Sequence, residues 1–397
     1  MRSRTLPALA AVLCAAGLAL AGCGAKGEPG RPTFVAGSVA PTSAAADPAS
    51  PSAAAPSPSG SPRPSPSRPA AAAFKAGNPS GHASVPAEAR AVDTSHPTRR
   101  IGTGTPASCT SRAVVAAVAA GGVITFNCGP APVTITMTAT AKVRNASSRV
   151  VLDGGGLVTL SGGGNRRILY LNTCDQAQGW TTSHCQNQAS PQVVVQNLAF
   201  TGGNSTGDRT EGGGGGAIFV RGGQFRVVNS RFTANRCDTT GPDLGGAALR
   251  VLSQYENRPV YVVRSTFSGG RCSNGGATSS IGVSWVFLNS ALTGNSAIGN
   301  GANPAKGGTP GGGSGGAIYC DGNEFTVRIA GTVITGNHAN EGGGAVFFVS
   351  NNRTGTMRIE NSTLRGNPSA KFETAGLPGI FFLGARNPSV TASTLRR

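Results

Sequence analysis

A short glycine mark recurs through the second half of the chain and constrains its fold more than any other feature. Each mark reads Gly-Gly-Ala, and the five copies begin at Gly215, Gly245, Gly275, Gly315 and Gly343. The spacings between them are 30, 30, 40 and 28 residues. A repeat of this length indicates a stack of similar structural units, because one unit alone cannot bury its apolar face.

A second repeated segment, which precedes the first mark and follows each of the five, alternates apolar and polar residues and ends in a small polar turn. Its copies cover residues 193–204, 225–235, 260–270, 285–295, 325–337 and 357–367. Alternation with period two, bounded by Gly and Asn, is typical of strands, and no helix-length amphipathic segment separates them. The pattern therefore predicts an all-β fold, a parallel β-solenoid in which each repeat forms one coil.

Composition agrees with a thin, stacked core. Glycine makes up 60 of the 397 residues, while aromatic residues are only 5%. Glycine suits left-handed turns and close approaches of backbones. Two sets of asparagines fall at equivalent repeat positions and predict amide ladders between coils: Asn229, Asn289 and Asn361, and Asn235, Asn295, Asn337 and Asn367.

A helix is expected at the start of the folded body. Thr110-Ser111 is a plausible N-cap for the apolar run 112–120, and Gly121-Gly122 is a stop signal. Such a helix would cover the open edge of the first coil, where unpaired strand groups otherwise invite aggregation.

The Gly-Gly-Ala marks and the Phe/Leu-x-x-Asn strand endings resemble repeats of the polymorphic outer membrane protein type. Those repeats occur within the right-handed parallel β-helix proteins of the pectate-lyase-like superfamily. The resemblance covers about residues 105–397 and implies a right-handed parallel β-helix. It says little about function, because these repeats serve stacking in enzymes and adhesins alike.

The N-terminus carries the pattern of an export signal. Arg2 and Arg4 precede the apolar stretch 6–20, and Leu20-Ala21-Gly22-Cys23 follows. This tetrapeptide resembles the lipobox of bacterial lipoproteins, which implies cleavage after residue 22, lipidation of Cys23 and attachment to the outer face of the cell membrane. An ordinary secretory peptide or a short membrane anchor is the alternative, with Cys23 incidental.

Residues 23–100 are rich in Ala, Pro and Ser and are expected to form a disordered tether. Such a composition buries too little apolar area to offset the entropy of ordering. The predicted organisation is therefore a signal peptide over 1–22, a tether over 23–100 and a β-helix domain over 101–397.

The cysteines of the body predict three disulfides and one free thiol, since an exported body permits disulfides. Cys237 and Cys272 follow Arg residues at the same position of consecutive repeats. Neighbouring coils lie about 4.8 Å apart, which falls inside the usual disulfide window. The expected pairs are Cys237 with Cys272, Cys109 with Cys128, and Cys174 with Cys185 around Trp180, leaving Cys320 buried and free. A metal site is the competing interpretation, although no pair has C-x-x-C spacing.

The body is basic. Residues 101–397 hold 24 Lys and Arg against 12 Asp and Glu, a net charge of +12. A basic surface outside the cell favours acidic polysaccharides or cell-wall glycans as partners, whereas nucleic acid is disfavoured because no recognised module is present. The alternative is that scattered arginines merely solubilise the outer face; Arg226, Arg264, Arg328 and Arg358 are expected to point outward from strands.

One group of charged residues is a candidate glycan-binding or catalytic cluster. In two consecutive coils the turns before the marks contain Asp208, Arg209, Glu211, Arg236, Asp238 and Asp243. In a polysaccharide lyase, carboxylates would hold Ca²⁺ against the acid group of the substrate and an Arg or Lys would abstract a proton. A surface ion-pair network is the competing interpretation. The long insertion 297–314 is either a lid or a flexible loop.

The motifs of the enzyme families within the resemblance are missing, including the Arg-x-Pro-x-x-Arg run of pectate lyases and the Gly-His-Gly of polygalacturonases. The expected function is therefore that of a monomeric cell-surface module that binds polysaccharide. The alternative is a polysaccharide lyase or hydrolase with a divergent site. No cofactor is indicated apart from Ca²⁺ in the lyase case.

Overall fold

The computed structural model describes residues 73–179, 181–209 and 213–397. The expected signal peptide, the lipidation site Cys23 and the larger part of the expected tether lie outside the described residues. Trp180 and Glu211 also lie outside them. Within the described residues, no helix is long and apolar enough to cross a membrane.

The predicted parallel β-solenoid is confirmed: the described strands pair parallel and form three sheets that run along the stack. Each coil contributes a first strand and a second strand to one long sheet of 17 strands, with a corner between them. Residues after the second strand form a three-stranded sheet in part of the stack, and each coil then continues into an eight-stranded sheet.

The strands of the long sheet fall into two runs. The first run is Arg99–Ile101, Gly122–Phe126, Gln224–Val228, Val260–Val263, Trp285–Leu288, Thr326–Ala330, Thr356–Glu360 and Ser389–Thr391. The second run is Val133–Thr136, Arg231–Thr233, Thr266–Ser268, Ala291–Thr293, Val333–Thr335, Thr363–Arg365 and Thr394–Arg396. Two long strands, Arg149–Ser161 and Gln192–Thr201, span both runs.

The other two sheets complete each coil. The eight-stranded sheet contains Ala141–Lys142, Leu169–Asn172, Ile218–Arg221, Leu249–Val251, Thr278–Ile281, Ile318–Gly322, Val346–Ser350 and Ile380–Leu383. The three-stranded sheet contains Arg271–Cys272, Ser296–Ala297 and His338–Ala339. Short 3₁₀ turns lie at Ala87–Ala89, Pro106–Ser108, Gln176–Gln178 and Tyr255–Asn257.

The predicted cap helix is confirmed as Ser111–Ala120. The Thr110 hydroxyl accepts a hydrogen bond from the Ala113 backbone N–H at 3.2 Å, which is the expected N-cap contact. Gly121 ends the helix with a φ of 70°. Val114 and Val118 are fully buried and join the apolar core of the first coils.

The core is narrow because each coil contributes the same inward positions. Phe200, Phe232 and Phe267 stack in consecutive coils, with ring centroids 5.0 and 4.6 Å apart. Leu292 and Ile334 continue this column in the next two coils. A side chain therefore packs mainly on its own equivalents above and below, which explains why a thin core suffices.

One predicted asparagine ladder is confirmed in part. The Asn295 Nδ2 group donates to Asn337 Oδ1, and the Asn337 Nδ2 group donates to Asn367 Oδ1, each at 2.8 Å. Asn235 occupies the equivalent position two coils before Asn295. The coil between them has Gly270 at this position, and the Gly270 N–H donates to Asn295 Oδ1. These amides satisfy buried backbone groups as well as one another.

The other predicted ladder, through Asn229, Asn289 and Asn361, is wrong. These residues occupy the corner between the first and second strands in a left-handed conformation, with φ of 45–53°. Arg264 and Gly331 occupy the corners of the intervening coils, so the asparagines do not meet. Arg264 thus lies at a corner, and its expected place in a strand is also wrong.

Hydroxyl groups immediately after the corner link the coils instead. In each step a backbone N–H donates to the hydroxyl of the next coil at 3.0–3.2 Å. The ladder comprises Ser230, Ser265, Ser290, Thr332, Ser362 and Ser393.

The Gly-Gly-Ala marks lie where the chain enters the eight-stranded sheet, and close backbone approach explains their second glycine. A Cβ on Gly216 would lie 2.1 Å from the Arg236 carbonyl oxygen. A Cβ on Gly316 would lie 2.2 Å from the Gly344 carbonyl oxygen. No side chain fits at these positions.

All three predicted disulfides are present. The Cα–Cα distances are 5.6 Å for Cys109–Cys128, 4.9 Å for Cys174–Cys185 and 4.8 Å for Cys237–Cys272. Cys320 is free and fully buried, as expected. Burial raises the pKa of its thiol to about 12, so it remains protonated.

The segment before the first strand is ordered, and the expected boundary of the tether at residue 100 is wrong. Residues 73–98, here called the strap, lie along the outer face of the long sheet. The Asn78 N–H donates to the Asn289 carbonyl at 2.8 Å, and Thr94 Oγ1 donates to Asp153 at 2.8 Å. Ala89 is fully buried against Val228 and Val263. Apolar contact and hydrogen bonds thus order a segment whose composition alone predicts a tether.

Candidate binding surface

Five outward side chains of the first strands line up along the solenoid. Strand register pairs Arg226 with Tyr261, Tyr261 with Val286, Val286 with Arg328, and Arg328 with Arg358. We call these five residues the axial row. Parallel strands lie about 4.8 Å apart, so the row extends over about 19 Å.

The row faces outward because its neighbours in each strand face the core. Phe225 and Val227 flank Arg226 and are buried, and the same holds for Val327 and Ile329 on either side of Arg328. Alternation across the pleat therefore projects the row to the surface. A rigid core fixes the spacing of its charged members.

A cavity of about 290 Å³ lies at the end of the row that contains Arg226. Gln192, Gln224, Arg258 and Tyr261 also line it. The Arg226 Nε–H is buried and has no hydrogen-bond partner among the residues that the structure describes. Burial lowers the pKa of the Arg226 guanidinium, and the charge of nearby Arg149 lowers it further. Glu88 lines the same cavity, and Arg258 forms an ion pair with Glu256. Arg226 is thus the arginine of this cavity that has no ion-pair partner among the described residues.

The other end of the row differs in how its arginines are paired. Arg328 donates to Glu360 Oε2 through Nε at 2.9 Å and Nη2 at 2.6 Å. Arg358 is exposed and lines a shallow depression together with Arg386 and Ser389. No ion pair involves Arg358 among the described residues. Its charge therefore faces solvent.

The strap forms one wall beside the row, and two side-chain amides clamp it. Asn289 accepts from the Ala83 N–H at 2.7 Å and donates to the Ala83 carbonyl at 2.8 Å. Gln196 does the same with Val92, at 2.8 and 2.9 Å. Between these clamps, Glu88 accepts a hydrogen bond from the Tyr261 hydroxyl at 3.0 Å. The wall is thus fixed on both sides of the cavity.

The candidate cluster predicted from the sequence is divided among several partners. Asp208 accepts from the buried Arg167 at 2.5 Å, and Arg209 forms an ion pair with Asp238 at 3.3 Å. Asp243 accepts from Asn303 Nδ2 at 2.9 Å. Glu211 lies outside the described residues. Asp208, Arg209 and Asp238 thus form ion pairs, as the competing interpretation of the cluster expects.

Arg167 was missed by the sequence analysis and organises this side of the molecule. Its Nε and Nη2 groups donate to the carbonyls of Gly215 and Gly214 at 3.0 and 2.8 Å. The guanidinium also stacks over the Phe219 ring at 5.1 Å. Burial lowers the pKa of Arg167, and Asp208 opposes this effect. No repeat marks this position, so sequence offered no signal for it.

The insertion 297–314 is held against the eight-stranded sheet. Asn303 Nδ2 donates to Asp243, to the Tyr319 hydroxyl and to Asp321 at 2.9–3.0 Å. Burial raises the pKa of Tyr319 well above its ordinary value, and burial also raises that of Asp321. Nearby, Arg250 is fully buried and donates to Ser279. This network ties the insertion down.

The Ca²⁺ site that the lyase alternative would require does not fit the described carboxylates of the cluster. In the parts of the chain that the structure describes, no three His, Cys, Asp or Glu side chains come together as metal ligands do. Asp208, Asp238 and Asp243 already accept hydrogen bonds from protein donors. Calcium takes six to eight oxygen ligands, and these separated carboxylates do not offer such a set.

Arg236, the remaining member of the cluster, lines a different groove. This groove has a volume of about 510 Å³ and is also lined by Arg271, Thr206 and Thr239. Arg236 and Arg271 are paired across adjacent coils. Neither forms an ion pair with a described residue.

Comparison with known proteins adds no relative: no protein-family model, curated protein or solved structure matches the chain. The function of the surface is therefore inferred from the contacts, burial and charges of the described residues.

The sequence also contains a signal for the axial row. Aligning the first strands places the second residue of each four-residue core in one column: Phe-Arg-Val-Val, Val-Tyr-Val-Val, Trp-Val-Phe-Leu, Val-Arg-Ile-Ala and Met-Arg-Ile-Glu. Parallel in-register stacking converts such a column into a row.

Proposed function

We propose that this chain is an exported, lipid-anchored protein of the cell surface that binds an acidic polysaccharide along the axial row. The export signal and the lipobox resemblance at Cys23 support the location. The resemblance to β-helix proteins of the pectate-lyase-like superfamily supports the elongated scaffold. The binding function depends on the row itself.

The observation that carries the proposal is the alignment of free positive charge along a rigid axis. Arg226 and Arg358 stand at either end of the row, and neither has a carboxylate within ion-pair distance among the described residues. An extended polyanion lying along the solenoid would meet both. Arginine suits this role because its planar guanidinium binds carboxylates through two parallel hydrogen bonds.

The middle of the row suits a carbohydrate. Tyr261 and Val286 pack in part against the apolar cluster under the strap, and the Tyr261 hydroxyl donates to Glu88; each side chain still leaves part of its apolar surface exposed. Gln192 and Gln224 bring amides to the cavity beside Arg226. A surface that combines apolar faces with a few placed polar groups is typical of ligand sites.

The test is equilibrium binding of the full chain to polygalacturonate, with neutral dextran as the control polymer. Wild-type protein should bind polygalacturonate, and binding should weaken with added salt. The double variant Arg226→Ser/Arg358→Ser should lower the affinity at least tenfold, since each charged hydrogen-bonding group contributes about 1.5–3 kcal/mol.

A matched double variant, Arg112→Ser/Arg396→Ser, removes the same charge from exposed positions outside the row. It should change the affinity less than twofold. Equal losses in the two double variants would reduce the effect to net charge and contradict the proposal. Release of unsaturated products from the polymer would instead favour the lyase alternative.

A further inference from the structure

The groove that contains Arg236 and Arg271 has an unusual arrangement of like charges. The two residues lie opposite each other in adjacent parallel coils. Both side chains are exposed, while the residues beside them, Asn235 and Cys272 among them, are buried. Like charges directly opposite each other on neighbouring strands are destabilising. Neither guanidinium forms an ion pair with any residue that the structure describes.

Covalent and hydrogen-bonded links hold this pair in place. The residues that follow the two arginines form the Cys237–Cys272 disulfide, with their Cα atoms 4.8 Å apart. The Arg271 N–H donates to the Asn235 carbonyl at 3.0 Å, and the Cys237 N–H donates to the Arg271 carbonyl at 3.1 Å. The two guanidinium groups therefore start from a fixed spacing of one coil.

The walls of the groove add uncharged hydroxyl donors. Thr206 and Thr239 are exposed and line the same cavity of about 510 Å³. The nearest acidic residue in sequence, Asp238, is turned away: its Oδ1 accepts from the Gly207 N–H and pairs with Arg209. The groove thus presents donors and positive charge together.

We infer that the Arg236–Arg271 groove is a second anion site, separate from the axial row, and that its ligand is a phosphate group. One carboxylate has two oxygens and is satisfied by a single guanidinium fork. A tetrahedral phosphate carries more oxygens and higher charge, so it can accept from two forks and a hydroxyl at once. The phosphate can belong to a free phosphate ion or to a phosphate-linked polymer of the cell envelope.

The experiment measures binding of inorganic phosphate and of poly(glycerol phosphate) to the full chain by equilibrium dialysis. The Arg236→Ser/Arg271→Ser variant should lower affinity for both about tenfold or more. The Arg112→Ser/Arg396→Ser variant, which removes the same charge from exposed positions outside the groove and the axial row, should leave phosphate binding within twofold. Equal phosphate affinity in the wild type and the Arg236→Ser/Arg271→Ser variant would overturn the inference.

Two further readouts define the ligand and the fold. If the polymer binds at least tenfold more tightly per phosphate than the free ion, the polymer is the ligand; equal affinities indicate free phosphate. Stronger competition by polygalacturonate than by either phosphate probe would overturn the phosphate assignment. The Arg236→Ser/Arg271→Ser variant should unfold at an unchanged or higher temperature, because repulsion is relieved, so lost binding would not reflect misfolding.

Discussion

The outer face of the long sheet and the loops that lead into the eight-stranded sheet both carry arginines, but they use them differently. On the sheet face, strand register sets Arg226 and Arg358 in one row, and neither forms an ion pair within the described part of the chain. In the loops, Arg167 and Arg209 each pair with an aspartate, and Arg167 also holds two glycine carbonyls. The difference shows that a regular strand can present charge to solvent, while Arg167 and Arg209 use theirs to bind neighbouring groups of the loops.

The largest expected effect tests the structural role of the loop arginines. Arg167→Ala would remove the buried guanidinium that donates to Asp208 and to two backbone carbonyls, and should lower the free energy of unfolding by about 3–5 kcal/mol. Arg358→Ala, at an exposed position of the row, should change it by less than about 0.5 kcal/mol. Urea denaturation measures both. Similar losses of stability in the two variants would contradict the distinction between structural loop arginines and exposed row arginines.

A smaller effect converts a paired arginine of the row into a free one. Glu360→Gln removes the partner of Arg328, which lies 2.6 Å away. Affinity for polygalacturonate should rise by about two- to fivefold at low salt, in line with the modest strength of exposed ion pairs, and the gain should fade as salt is added. Unchanged affinity in Glu360→Gln would mean that Arg328 takes no part in binding.

The smallest effect concerns the strap beside the row. Burial and the Glu88 contact raise the pKa of Tyr261 to about 12, against an ordinary value of about 10. The folded state therefore favours the neutral phenol, and the resulting stability is lost as pH rises from about 10 through 12. The loss should stay below about 1 kcal/mol, because solvent screens this half-exposed group.

Ultraviolet titration of the phenol follows this effect directly. Subtracting the Tyr261→Phe titration from that of the wild type isolates the Tyr261 signal. Glu88→Gln should lower the pKa of Tyr261, since the carboxylate no longer opposes ionisation. An unshifted Tyr261 titration would show that the strap does not hold Glu88 against the hydroxyl in solution.

The repeat and its chemistry made the scaffold predictable from sequence. The spacing of the Gly-Gly-Ala marks predicted that each repeat forms one coil. The equivalent positions of Cys237 and Cys272 in consecutive repeats predicted the disulfide between them. The failed ladder through Asn229, Asn289 and Asn361 has a simple cause: the equivalent positions in the intervening coils hold Arg264 and Gly331. A ladder needs the same residue in successive coils, which an alignment of local motifs alone does not guarantee.

The surface was less predictable because its contacts are not periodic. The strap is ordered by Asn289 and Gln196, which lie more than 100 residues away from the backbone groups they bind. Asp208 and Asp243 of the predicted cluster bind Arg167 and Asn303, neither of which belongs to the repeat. Such long-range partners have no sequence signature, whereas the axial row follows from strand register alone.

Arginine-directed footprinting tests the central claim most directly. The full chain is labelled with an arginine-specific dicarbonyl reagent with and without polygalacturonate, and each site is quantified by mass spectrometry. Binding along the axial row should protect Arg226 and Arg358 when the polymer is present, while Arg236 and Arg271 should be labelled as in its absence. Protection confined to Arg236 and Arg271, or equal labelling at every arginine with bound polymer present, would contradict binding along the row.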